Sequence, residues 1–107
     1  MNNLSANSKE QPSRREILIQ VERGVASGDL QLGEGLQRLR KEISELNQKD
    51  FAKLSGVSLR TLAGIESGQA NPTLETINQL FSLFGLRVGL VSKYSALNSD
   101  KTSYNNG

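Results

Sequence analysis

QKDFAKLSGVSLRTLAGIESG, residues 48–68, holds two short amphipathic runs joined at a single glycine. Asn47 and Asp50 mark the start of the first run, since asparagine caps free helical N–H groups and an acidic side chain favours the positive end of the helix dipole. Phe51, Ala52 and Leu54 supply its apolar side, and Gly56 stops it, glycine being the residue most tolerant of a left-handed backbone. Ser58 caps a second run in which Leu59, Leu62 and Ile65 are apolar, and Gly68 closes that run. Two helices joined by so short a turn cross steeply, so the first needs a small residue where the second passes over it. Ala52 meets that need, while Phe51, Val57, Leu62 and Ile65 turn inward. The outer face of the second helix is left to project, and a projecting helix fits a DNA major groove about 12 Å wide.

Upstream, Leu32, Leu36, Leu39 and Ile43 recur at helical spacing, with Arg38, Lys41 and Glu45 on the opposite face. Gly33 and Gly35 weaken the first turn of that helix. Downstream, Asn71-Pro72 breaks the chain, and Thr73 caps a helix whose stripe is Leu74, Ile77, Leu80, Phe81 and Phe84, ending at Gly85. Leu86, Val88 and Leu90 then alternate with Arg87, Gly89 and Val91, which predicts one short strand over 86–91. A lone strand cannot satisfy its own backbone groups, and the same strand of a second subunit is the simplest partner.

Ser13 followed by Glu16 forms a capping box, and Ile17, Leu18, Val21 and Val25 share one face of a helix over about 14–26. The run ILIQV can also be read as a strand. Residues 1–12 and 92–107 are too poor in apolar side chains to offset the entropy of ordering. The expected organisation is a disordered tail at 1–12, a helical extension at 13–28, a DNA-binding domain at 30–91 that includes the dimerisation strand, and a second disordered tail at 92–107.

With 107 residues and 36% hydrophobic content, the chain can build one small core. Cysteine and histidine are both absent, which excludes disulfides, thiolate metal sites and imidazole bases. No close carboxylate pair or phosphate-cradling glycine loop stands out, so neither an enzyme nor a cofactor is expected. No apolar run approaches the roughly 18 residues of a membrane span, and the opening MNNLSANSKEQPS lacks a secretory core. The expected location is cytoplasmic, on the nucleoid. Thirteen basic and eleven acidic residues give a slight positive excess, so the placement of charge matters more than its sum.

The order Gln48, Asp50, Phe51-Ala52, Gly56, Ser58, Leu62, Ile65-Glu66-Ser67-Gly68 resembles the helix-turn-helix of the lambda/434 repressor-like (XRE, Cro/CI) family, over residues 32–84. The resemblance implies an all-α DNA-binding domain, here followed by one short C-terminal strand, and a dimer closed by an intermolecular β-pair. The ending GQANPTLETINQLFSLFGLRVGLV is similar to HipB-type antitoxins, which pair such strands between protomers, repress their own operon and associate with a kinase-like toxin. Between Arg40 and Gln48 the chain carries one residue more than the common family spacing, which the comparison assigns to the loop KEISELN. An arginine that pairs with the glutamate of Ile-Glu-x-Gly in the family then falls on Arg40, opposite Glu66. Arg40, Ala52, Gly56 and Glu66 are accordingly expected to be structural, and Leu86, Val88 and Leu90 to dimerise.

Carried over by position, Asn47 and Gln48 lie beside the phosphate backbone, and Lys49 and Lys53 lie one turn apart on the exposed side of the same helix. Ser58, Leu59, Arg60, Thr61 and Gly64 occupy positions that meet bases or flanking phosphates, with Gln69 and Asn71 in the loop beyond. Arg60 is the sharpest candidate, because a guanidinium there can bond two acceptors of one guanine. Surface pairing with Glu66 or Asp50 is its alternative role. The chemistry expected is repression from a palindromic operator in double-stranded DNA by a homodimer with a HipA-type, kinase-like toxin partner. The competing readings are a generic repressor without a toxin and a protein-interaction adaptor of the same fold.

Overall fold

The structure, a computed structural model, describes residues 11–93. The two expected tails lie outside this range except for residues 11–12 and 92–93. Five helices follow one another: α1 (Arg14–Ser27), α2 (Leu32–Leu39), α3 (Gln48–Ser55), α4 (Leu59–Ser67) and α5 (Leu74–Phe81). A π-helical turn, Arg40–Ser44, extends α2, and a 3₁₀ turn, Ser82–Phe84, extends α5.

The helix starts are fixed by side chains that satisfy otherwise free N–H groups. In α1, Ser13 Oγ accepts from the Glu16 N–H while Glu16 accepts from the Ser13 N–H. The run ILIQV therefore continues a capped helix rather than forming a strand. Asn47, Ser58 and Thr73 accept from the N–H groups of Asp50, Thr61 and Thr76. Left-handed glycines at 28, 56, 68 and 85 end α1, α3, α4 and the 3₁₀ turn.

Leu36, Leu39, Phe51, Leu62 and Leu80 are fully buried and form the centre of the core. The rings of Phe51 and Phe84 stack with centroids 5.7 Å apart, joining α3 to the end of α5. Helix α1 adds Ile17 and Val21 to the same cluster and rests on α2 and the π turn. The guanidinium of Arg38 holds the two together by donating to Gln20, and it also pairs with Glu42.

Gly33 and Gly35, read above as weak points, are contact residues. A Cβ on Gly33 would lie 2.0 Å from the Ile65 carbonyl oxygen, so α2 approaches the end of α4 as only glycine permits. On Gly35 it would press on Val21 and Val25, where α1 crosses. The loss of helix propensity is offset by close packing on two sides.

Several expectations are corrected by this packing. The residues after Arg40 do not make a longer loop, because a π turn accommodates one residue more than an α turn. The Glu45 N–H donates to the Arg40 carbonyl at 2.8 Å, and Glu45 is the one non-glycine with positive φ among the described residues. Leu54 and Leu74, assigned above to apolar faces, are 61% and 60% exposed. Each lies on an eight-residue helix whose buried arc is narrower than its sequence pattern. Residues 86–91 form no strand within one chain, since no second strand is present among the described residues to complete a ladder. Leu86 and Val88 are half-buried against the core, whereas Leu90 is fully exposed.

Candidate nucleic-acid interface

The α3–α4 pair is held from beneath by one buried polar cluster. Arg40 Nε lies 2.7 Å from Glu66 Oε2 and Nη2 lies 2.9 Å from Oε1, a two-pronged ion pair removed from solvent. The third guanidinium nitrogen donates to the Leu46 carbonyl at 2.8 Å, and Gln48 Nε2 donates to Glu66 Oε1 at 2.9 Å. The end of α2, the start of α3 and the end of α4 thus meet at one carboxylate. Burial alone would raise the Glu66 carboxyl pKa, but hydrogen bonds from Arg40 and Gln48, the Arg40 charge and a smaller contribution from Gln37 outweigh it. The net result is a carboxyl held below its ordinary value of 4.5.

The turn between α3 and α4 is equally constrained. Gly56 sits at φ 77°, and its missing Cβ would lie 3.2 Å from Gln79 Nε2. That amide donates to the Ser55 carbonyl at 2.8 Å and so fastens α5 to the end of α3. Ala52 is buried, and Ser55 Oγ bridges the Ala52 carbonyl and the Val57 N–H. Under these restraints α4 buries Leu62, Ile65 and Glu66 and turns Ser58, Leu59 and Arg60 outward.

A buried inner stripe and an open outer rim on α4, polar apart from Leu59 and presented beside the start of α3, have the shape of a reading head for a groove. A family model described as helix-turn-helix matches residues 36–91, more than half of the chain. The chain belongs to the helix-turn-helix family. Its motif is the lambda repressor-like one, and membership points to DNA binding rather than catalysis. The matched region begins within α2, so α1 lies outside it. A curated relative, the HTH-type transcriptional regulator DdrOP3 of Deinococcus deserti, is 39% identical over 59 residues, covering 55% of this chain and 45% of the relative. The chain therefore spans less than half of that relative's length. No solved structure matches significantly.

Within this helix-turn-helix protein the residues named from sequence divide into groups. Lys49, Lys53, Leu59, Arg60, Gln69 and Asn71 are exposed. Asn47 is exposed, with its carbonyl oxygen committed to capping α3 and its amide nitrogen left outward. Gln48 is half-buried with one amide N–H on Glu66, and its second N–H is the donor available for a phosphate. Ser58 Oγ caps α4 and donates to Thr61 Oγ1 at 2.9 Å, which leaves the Thr61 hydroxyl proton for another acceptor. No ion pair joins Arg60 to Glu66 or Asp50 among the described residues.

Gly64 serves the loop beyond α4. Its carbonyl accepts from the Gln69 and Ala70 N–H groups, and a Cβ on it would lie 2.9 Å from the Ala70 Cβ. Ala70, absent from the sequence-derived set, is exposed where Gly64 brings the loop against the helix. Only the pairing of small residues at 64 and 70 could have signalled it. Among the described residues, no group of three or more histidine, cysteine or acidic side chains could hold a metal ion, and no helix is long and apolar enough to cross a membrane.

Proposed function

We propose that this chain is a sequence-specific DNA-binding transcriptional repressor acting as a homodimer on a palindromic operator. The observation that carries the reading is the exposed outer rim of α4, with the Arg60 guanidinium outward near its start. Arg60 and Thr61 are assigned to base edges and adjacent phosphates. Lys49, Lys53 and Asn47 are assigned to the phosphate backbone, with Gln69 and Asn71 flanking. Leu59 offers an apolar contact suited to a thymine methyl. The name of the Deinococcus relative, a transcriptional regulator, supports the same class.

Three or four reading side chains are too few for an operator, and two copies with half-sites about 34 Å apart supply the remainder. Residues 86–91 are the proposed joint. The Leu86 N–H donates to the Phe81 carbonyl and the Val88 N–H donates to Asn78 Oδ1. In extended chain, alternate N–H groups point to opposite edges, so the edge bearing Arg87, Gly89 and Val91 is the one left open. No hydrogen bond among the described residues engages those three N–H groups. Antiparallel pairing with a second copy would satisfy them.

The finer assignment is a HipB-like antitoxin component that autoregulates a toxin–antitoxin operon and associates with a kinase-like toxin. Its support is the short apolar segment placed directly after α5. Purified protein is expected to prefer DNA upstream of its own gene to random duplex at about 150 mM salt, where non-specific binding is weakened. Equal affinity for both would reject the repressor. Mild co-purification from native cells checks the toxin; without a kinase-like protein, a generic repressor remains. The internal use of one Gln48 N–H leaves room for an adaptor with residual DNA contact, for which Arg60→Ala would leave DNA affinity unchanged.

A further inference from the structure

A mainly apolar groove of about 270 Å³ runs between α1 and residues 86–91, lined by Val21, Val25, Ala26, Phe81 and all six residues of that segment, with the charged Glu22 and Arg87 in its lining. Val21 and Phe81 form a buried floor, Val25, Leu86 and Val88 are half-buried walls, and Ala26 stands exposed at the rim. Within that lining Leu90 is fully exposed and Val91 is 59% exposed. An apolar wall left open next to two bare aliphatic side chains is a surface suited to a partner.

We propose that helix α1, which precedes the matched family region, is part of the dimer interface, and that its groove receives Leu90 of the partner subunit. This rests on the pairing of 86–91 argued above. Side chains at 86, 88 and 90 share one face of an extended segment, and in this molecule that face is the inner one, because Leu86 and Val88 pack half-buried against the core while Arg87 and Gly89 are exposed. Two-fold antiparallel pairing along the open edge centres on either Val88 or Gly89. The first register sets Leu90 of the partner subunit opposite Leu86, and the second sets it opposite Val88. Both bring that leucine over the groove wall, with α1 on its far side. The extension then acts as a clamp that covers the inner face of the paired segments.

The other occupant within reach is the chain's own continuation. Residues 94–107, YSALNSDKTSYNNG, are mostly polar, a poor complement to an aliphatic groove. A second copy supplies what fits, an exposed leucine at the required position.

Sedimentation equilibrium on the full chain tests this with Ala26→Glu, Leu90→Lys and the two combined. Both residues are exposed in the single chain, so each variant is expected to keep its helical content by circular dichroism. Each single substitution should weaken the dimer at least about tenfold, as removal of a buried anchor does. The double variant should recover most of the loss, because opposite charges then meet across the interface. A dimer indifferent to Ala26→Glu would overturn the clamp while leaving strand pairing in place. Weakening by both singles without recovery in the double would place that leucine elsewhere and overturn it as well. A wild-type chain that stays monomeric would remove the pairing reading itself, and the clamp with it.

Discussion

The α3–α4 unit and the segment 86–91 treat their polar groups in opposite ways. In the first, the helix starts are capped, the turn glycine is locked under Gln79, and the one buried ion pair has partners on both sides. What it leaves open is mainly polar, with Leu54 and Leu59 as its exposed aliphatic side chains. In the second, two aliphatic side chains are open to water and the Arg87, Gly89 and Val91 N–H groups have no hydrogen bond among the described residues, while the Leu86 and Val88 N–H groups are tied to α5. A presenting surface must keep its shape before its ligand arrives, whereas a joining surface is completed by its partner. The contrast predicts that changes beneath the reading head cost stability, changes on its rim cost DNA binding, and changes along 86–91 cost association.

The largest effect is expected beneath the head. Glu66→Ala strands the Arg40 guanidinium in the core, and loss of one partner from a buried pair costs about 3 to 5 kcal/mol, to be read from urea unfolding. A loss near zero would mean that Arg40 reaches water and that the cluster does not brace the motif. The same carboxyl sets a pH dependence. Because its folded-state pKa lies below 4.5, its contribution is present above that value and is lost as pH falls through the lowered one. Thermal melts of wild type and Glu66→Gln should therefore converge as the solution is acidified from neutrality through that lowered value, and parallel curves would count against the pair.

Gly33→Ala comes next. Its methyl group would meet the Ile65 carbonyl oxygen, and overpacking of this kind costs about 1 to 3 kcal/mol. A neutral result would show that α2 can slide on α4. At the rim the signature inverts. Arg60→Ala should leave the unfolding midpoint in place and weaken operator binding by about 1 to 3 kcal/mol, with relaxed preference at one base pair. Lys53→Ala should give the smallest effect, a uniform loss across sequences with the slope of affinity against salt reduced by about one. A sequence-dependent loss from Lys53→Ala would move that residue from backbone to base contact.

Much of this division was legible before any coordinates. Capping residues, closing glycines and the apolar steps at Leu36, Leu39, Phe51, Leu62 and Leu80 are local signals, and local signals survive folding. The family resemblance is carried by the spaced motif from Gln48 to Gly68. Illegible were the features that depend on distant residues meeting. Gly33 reads as a weak helix former until Ile65 is placed above it, and nothing beside Gln48 in the sequence announces its hydrogen bond to Glu66 at 2.9 Å. The extra residue before Asn47 has no visible preference for loop over π turn. Leu54 and Leu74 sit at the edge of arcs that eight residues define only loosely. For 86–91, alternation marks extended chain and carries no record of what lies beside it.

Chemical-shift mapping of the full chain on DNA from upstream of its own gene tests the reading head most directly. The account predicts that amide shifts concentrate at residues 58–61 and 69–71, with a second group at 47–53, while the core positions of α5 stay still. A duplex that binds tightly yet moves α1 or α5 and leaves residues 58–61 unperturbed would contradict it.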